Sequence, residues 1–264
     1  MAEERFKNQE KIIDSNKLAR TRFVIVGAGA IGTGVTVALC KMGARDVTVY
    51  DFDTVEDHNL ATQGHPKSQL GKPKVDSLAL ACLDYGDCTI KTVNAPWTPG
   101  SAVDADVVIS CVDNMDVRAA LWNYYKGRTP FFIDGRMSAH VYKVFGVDTS
   151  DLSNTGACAY YASTLHSQAS AAPEPCGEKS IIYTVYLVAG MMVSQVREWL
   201  TDETRSYRAT EIICDTLNHT YHKLYHQEIP KPELIQTEEI QDADSRPEDA
   251  KADVEEVYQL SLGI

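Results

Sequence analysis

Three short stretches could do chemistry at one place. The first is Gly27-Ala-Gly29-Ala-Ile-Gly32, in which Gly27 permits a tight turn, Gly29 lets backbone approach a phosphate and Gly32 allows close helix–strand packing. The second is Asp51, 24 residues beyond Gly27, where nucleotide-binding βαβ units hold a ribose hydroxyl. The third is Val112-Asp113-Asn114, a carboxylate at the end of an apolar run. Phosphates would sit at the helix N-terminus that the glycine turn opens, where unpaired N–H groups and the dipole favour negative charge.

Such residues must be positioned by strands and helices, and the sequence supplies both. Residues 24–26 read as a buried parallel strand, 33–42 as the following helix, and Asp46-Val-Thr-Val-Tyr as the second strand. A polar loop follows from Asp51 to Gln63, and Pro73 suits the first turn of a helix whose apolar stripe covers 75–83. Residues 89–93 give a third strand. Asp106-Val-Val-Ile-Ser-Cys111 is apolar throughout, as in a sheet buried on both faces, and a helix opens after Asn114 with Leu121, Trp122 and Tyr125 toward the core. Residues 131–134 and 141–147 are further β segments. The expected fold is α/β, a Rossmann-like three-layer arrangement with a mostly parallel sheet, in which Asp51 and Asp113 share one crevice at the carboxyl ends of the strands.

The flanks differ in character. Residues 1–19 form a charged arm or helix, and 149–178 are small and polar, an extended mobile crossover loop. Residues 180–200 are a long helix, apolar nearly all round, central in the core or at a subunit interface. A helix near 216–226 forms a C-terminal helical extension. The main domain is thus expected over 1–230. From Glu233 onward there are ten acids against two bases, so 231–264 reads as a solvating, disordered acidic tail, with a short helix near 247–260 that could dock on a partner.

A net charge of −12 does not suit a surface that condenses on phosphates, which argues against nucleic acid as a partner. No stretch is a comfortable bilayer span and the N-terminus has no secretory h-region, so the expectation is a cytoplasmic protein with no membrane contact. Seven cysteines without one CxxC pair argue against a disulfide framework and a zinc ribbon, and no structural zinc is expected.

Together the residues resemble the ThiF/MoeB/HesA branch of the ubiquitin-activating enzyme superfamily. The resemblance runs from Arg5 to about Leu200 through Arg5-Phe-Lys-Asn-Gln9, the turn at 27–32, Asp51-Phe-Asp53-Thr-Val-Glu56, Asn59-Leu60 with Gln63, Gly71-Lys-Pro-Lys74, and Cys111-Val-Asp113-Asn114 with Arg118. It implies ATP-dependent adenylation of the C-terminal carboxylate of a small ubiquitin-like or sulfur-carrier protein. Gly27, Gly29, Gly32, Asp51, Asp53, Asn59, Lys74 and Asn114 would bind the nucleotide, Asp51 at the ribose and Asn59 and Lys74 at phosphates. Asp113 would hold Mg2+, and Arg118 would support it from the next helical turn. The resemblance also implies a homodimer formed through helix 180–200, and conjugating or deconjugating enzymes as further partners.

Where the family carries two phosphate-binding arginines this chain has Asn8 and Thr62. Lys7, Lys72 or Arg136 could substitute, and Arg136, just after a strand end, is the preferred replacement. Cys176, before the long helix, matches the place of a thiol that accepts the activated acyl group. Cys214, His219, His222 and His226 could suggest a metal, but a wet helical face explains them better. Two other readings stay open: a nucleotide-binding scaffold without catalysis, and an ATP-dependent enzyme acting on a tRNA base or small carboxylate. A nicotinamide oxidoreductase ranks last.

Overall fold

The β-branched runs build a sheet before anything else, because each is apolar on both faces and must be covered twice. The computed structural model describes residues 2–150, 155–167, 180–202 and 209–225. Its strands are β1 (Arg22–Val26), β2 (Asp46–Tyr50), β3 (Lys91–Val93), β4 (Val107–Ser110), β5 (Phe131–Ser138), β6 (Val141–Asp148), β7 (Ala209–Asp215) and β8 (Thr220–Tyr225). They form a single sheet in the order β3-β2-β1-β4-β5-β6-β7-β8. The first five are parallel and the last three pair antiparallel. Strand order reverses between β1 and β4, where open parallel sheets bind ligands.

Register makes that point concrete. Val26 is level with Tyr50 on one side and Ser110 on the other, and Ser110 with Asp134. Gly27, Asp51 and Cys111 therefore stand side by side, one residue beyond the sheet. The glycine turn leads into α3 (Ala30–Met42), and Lys74 is the first residue of α4 (Lys74–Gly86). These two helices and α7 (Ile182–Thr201) cover one face of the sheet, in a core that includes Ile31, Val35, Leu39, Leu78, Val188 and Met192. The opposite face is covered by α5 (Met115–Tyr125) and α6 (Thr155–Ser163), through Leu121, Trp122, Tyr125 and Tyr161. The three-layer expectation holds.

α7 packs against α3 so closely that a methyl group at Gly34 would lie 2.8 Å from the Ala189 methyl. Its buried face carries Val185, Val188, Met192 and Val196, while Tyr183, Tyr186 and Leu187 are exposed. The N-terminal arm contains α1 (Ala2–Phe6) and α2 (Ser15–Arg20), the latter capped by Asp14. The arm docks at the far ends of α3 and α4: Phe6 covers Gly43 and Arg5 pairs with Asp87 at 3.0 Å.

Two expectations are corrected. A helix is expected near 216–226, but residues 216–225 are the turn and second strand of a hairpin. Asp215 accepts hydrogen bonds from the Leu217 and Asn218 N–H groups, His219 adopts φ 53°, and Thr-Tyr-His-Lys-Leu-Tyr then pairs with β7. Threonine and tyrosine suit that pleated surface. The crossover segment, expected as loop throughout 149–178, contains α6, which forms because Ala157 and Tyr161, one turn apart, are both buried against the sheet. Cys176, His226 and the tail 231–264 lie outside the described residues. No described helix is long and apolar enough to cross a membrane.

Candidate active site

The glycine turn is fixed by what it touches. Gly27 has φ +102°, and a Cβ there would stand 2.6 Å from the Cys111 carbonyl oxygen; one at Gly32 would stand 2.8 Å from the Gly27 carbonyl carbon. Only glycine fits at either place. At Gly29 a Cβ would meet nothing nearer than Gln63 Nε2 at 4.0 Å, so the ground above the turn is open. No side chain among the described residues caps the first turn of α3, so its N–H groups suit an anion. Gln63 Oε1 is buried without a partner among the described residues, a further polar atom that an occupant could satisfy.

One wall of the crevice is a chain of exchangeable polar contacts. The Ala28 N–H donates to Asp51 Oδ2 at 2.6 Å, and the Asp53 N–H donates to Asp51 Oδ1 at 2.8 Å. Lys74 Nζ donates to Asp53 Oδ2 at 2.8 Å, and the Lys74 N–H to the Asp53 carbonyl. Lys74 is buried, whereas half of the Asp53 side chain is exposed. Asn59 Oδ1 accepts from the Glu56 N–H at 2.8 Å in a reciprocal cap of the short turn at Asp57–Ala61. Its carbonyl oxygen is thereby used for structure, and its amide nitrogen has no partner among the described residues.

His65 is a component that sequence reading missed. It is 4% exposed; its Nε2 lies 2.9 Å from the Ala28 carbonyl oxygen and its Nδ1 2.9 Å from Ser77 Oγ. Burial depresses its pKa, the Ala28 carbonyl opposes this, and Lys74 depresses it further. The ring is accordingly neutral at pH 7. No spacing rule singles out one histidine after a polar loop, so the sequence held no signal for it.

The other wall rises from β4. Asp113 is exposed and makes no hydrogen bond or ion pair among the described residues. Asn114 is the N-cap of α5, its Oδ1 accepting from the Asp116 and Val117 N–H groups at 2.9 and 3.0 Å. Its carbonyl oxygen therefore serves the helix. Burial pushes the Cys111 thiol up, with Asp134 adding to the effect, so it is no nucleophile. Among the described residues no three His, Cys, Asp or Glu side chains gather for a metal. A lone carboxylate beside a glycine turn has donor chemistry that fits Mg2+, which takes one or two carboxylates and completes its shell with phosphate oxygens and water.

Two arginines do not reach this crevice as expected. Arg118 makes no hydrogen bond to the Asp113 side chain among the described residues; its Nε donates to Asp134 Oδ1 at 2.7 Å and its Nη2 to the carbonyl of Val112, just before Asp113, at 2.5 Å. Arg136 Nε donates to Asp134 Oδ2 at 2.7 Å, and its Nη1 and Nη2 donate to the Thr164 carbonyl and hydroxyl at 3.0 and 2.9 Å. The Arg136 guanidinium also lies 4.5 Å from the Phe145 ring centre, under α6. All three members are buried. Burial pushes the Asp134 carboxyl up, but Arg118 and Arg136 together hold it below the usual carboxylate range. Arg136 is thus a structural cation, because the α6 segment closes over it. His219 and His222 do not share a helical face, since one is in the hairpin turn and the other in β8.

Comparison with known proteins bears on the family and the fold. The ThiF family matches residues 7–234, and the chain belongs to that family. It is 32% identical over 111 residues to the molybdopterin-synthase adenylyltransferase of Haemophilus influenzae, covering 40% of this chain and 46% of that protein. It is 29% identical over 117 residues to tRNA threonylcarbamoyladenosine dehydratase 2 of Saccharomyces cerevisiae, covering 41% of this chain and 26% of that one. The aligned region thus spans under half the length of these relatives. The crystal structure of Escherichia coli MccB with ATP has the same fold, with a TM-score of 0.62 at 14% identity over 86% of this chain and 72% of that one.

Proposed function

We propose that this ThiF-family chain adenylates the C-terminal carboxylate of a small ubiquitin-like or sulfur-carrier protein, with ATP as co-substrate. The observation that carries the reading is that register sets the glycine turn, Asp51 and the β4 end side by side, with Lys74 bound to Asp53 on one side and Asp113, which has no partner among the described residues, on the other. A carboxylate oxygen attacks the α-phosphorus, the bond to the bridging oxygen breaks, and pyrophosphate leaves. Neither group on the crevice walls needs to form a covalent bond; positioning and charge stabilisation are the work required. The first N–H groups of α3 receive phosphate oxygens. Lys74, held by Asp53, turns its ammonium to the departing phosphates, and the Asn59 amide nitrogen adds a donor. Asp51, already fixed by two N–H groups, orients the ribose. Mg2+ would be held at Asp113, where it supplies further neutralisation of phosphate charge.

The names of the relatives support an adenylating chemistry and divide between a protein-directed and a tRNA-directed activity. The net charge of −12 favours the protein-directed one. Cys176 is the acceptor of the activated acyl group in this reading, and a Cys176→Ser variant that still passes the group onward at the wild-type rate removes that role. A homodimer forms through Tyr183, Tyr186 and Leu187 on the outward face of α7; a monomeric mass by light scattering at micromolar concentration counts against it. The defining test is ATP–pyrophosphate exchange with candidate proteins ending in Gly-Gly. Exchange that needs such a protein and disappears in Asp113→Ala supports the whole reading. ATP binding with no exchange for any candidate favours a scaffold, with Asn8 and Thr62 in place of the two arginines as the reason.

A further inference from the structure

We propose that His65 is a positioning residue for nucleotide binding, a latch that fixes the Ala28 peptide of the glycine turn to α4. The inference rests on the reading of the turn as an ATP site and adds a component to it. A carbonyl oxygen can only accept, so the Ala28 contact at 2.9 Å requires the proton on Nε2. In the neutral ring Nδ1 is then bare and accepts the Ser77 hydroxyl at 2.9 Å. Ser77 is one turn after Lys74 on α4, and is itself buried. The same Ala28 residue gives its N–H to Asp51. It is therefore held from both sides, by the residue assigned to ribose and by the helix that begins with the residue assigned to phosphate.

This bracing has a consequence for binding. Gly27 and Gly29 flank Ala28 and their backbone would otherwise sample many conformations. A turn ordered before the ligand arrives loses less entropy on binding. The latch should thus appear in affinity more than in turnover, and any side chain able to donate to Ala28 and accept from Ser77 should replace it. Glutamine has both atoms at similar spacing, whereas leucine fills the space and leaves the carbonyl without a donor.

The test is calorimetric titration of the full chain with ATP in wild type, His65→Leu, His65→Gln and Ser77→Ala, alongside histidine 15N NMR without nucleotide. The expected result is a dissociation constant raised roughly tenfold in His65→Leu and within about threefold of wild type in His65→Gln, with Ser77→Ala between them. kcat at saturating ATP should change less than affinity. Equal affinities in all four, or equal losses in the Leu and Gln variants, would overturn the latch. A ring protonated on Nδ1 would overturn it as well, and that measurement needs no ligand. If wild type binds no ATP while the ring is protonated on Nε2, the nucleotide reading fails and the nucleotide role of the latch fails with it, leaving only the hydrogen-bond assignment. Should His65→Leu fail to fold, Ser77→Ala must still weaken binding relative to His65→Gln.

Discussion

Two clusters of carboxylate and cation stand toward the carboxyl ends of two parallel strands, β2 and β5, with β1 and β4 between them, and they do opposite things. After β2, Asp53 and Lys74 form one ion pair whose acid is half-exposed. At the end of the parallel part of β5, Asp134 is enclosed by Arg118 and Arg136, with both guanidinium groups buried. Each joins a carboxylate to a cation, Asp134 within β5 and Asp53 just past the end of β2. What separates them is the count of partners and the cover supplied by later chain: α6 and the residue after it close over Arg136 through Tyr161 and Thr164, while nothing described closes over Asp53. A cation at a strand end is available to a substrate only when its partners can be exchanged.

That contrast can be broken most sharply at the closed cluster. Asp134→Asn leaves two buried guanidinium groups without their anion and should cost about 3–5 kcal/mol of stability, read by urea denaturation. A loss under about 1 kcal/mol would mean that the cluster is not sealed. At the open cluster the expectation is inverted: Lys74→Ala should lower ATP–pyrophosphate exchange about a hundredfold with only about 1 kcal/mol of destabilisation. Arg136→Met, tested beside it, should change stability and leave nucleotide affinity near wild type; a selective loss of affinity would return Arg136 to the phosphate site. Within the turn, Gly29→Ala should fold normally and bind ATP roughly tenfold more weakly, whereas Gly32→Ala should not give stable protein.

The smallest expected effect is a pH slope. Because the folded pKa of His65 lies below its unfolded value, the unfolded chain binds the extra proton first as pH falls, and stability declines below about pH 6.5. His65→Gln should flatten that part of the curve. Asp134 acts at lower pH and with the other bound: its depressed folded pKa contributes stability above about pH 4 that is lost as pH falls toward the folded value. Asp134→Asn should remove this decline and leave the one near pH 6 in place.

Much of the parallel half was legible because its signals are local. A β-branched run, a glycine that must have positive φ and an acid at the next strand end lie within one βαβ unit, and Gly27, Gly32 and Asp51 are placed as the spacing implies. The errors arise where distant chain decides. Arg136 does follow a strand-end acid, but its burial depends on Phe145 and Tyr161, which no window around Arg136 contains. Residues 220–225 hold apolar and polar side chains at spacings compatible with helix or strand, and pairing with β7 selects the strand. Asn114 stands with the nucleotide residues by resemblance alone, and no local signal tells that its carbonyl oxygen caps α5.

The close contact of Gly34 with Ala189 makes α3 and α7 parts of one stiff frame. α3 carries the glycine turn at its N-terminal end, and α7 starts directly after the segment that contains Cys176, anchored at Ser180 by a bridge to Ala139. The glycine turn and the bridge at Ser180 therefore stand on one mount. A larger side chain at Gly34 should therefore disturb both ends of that mount at once, since no slack between the helices absorbs it.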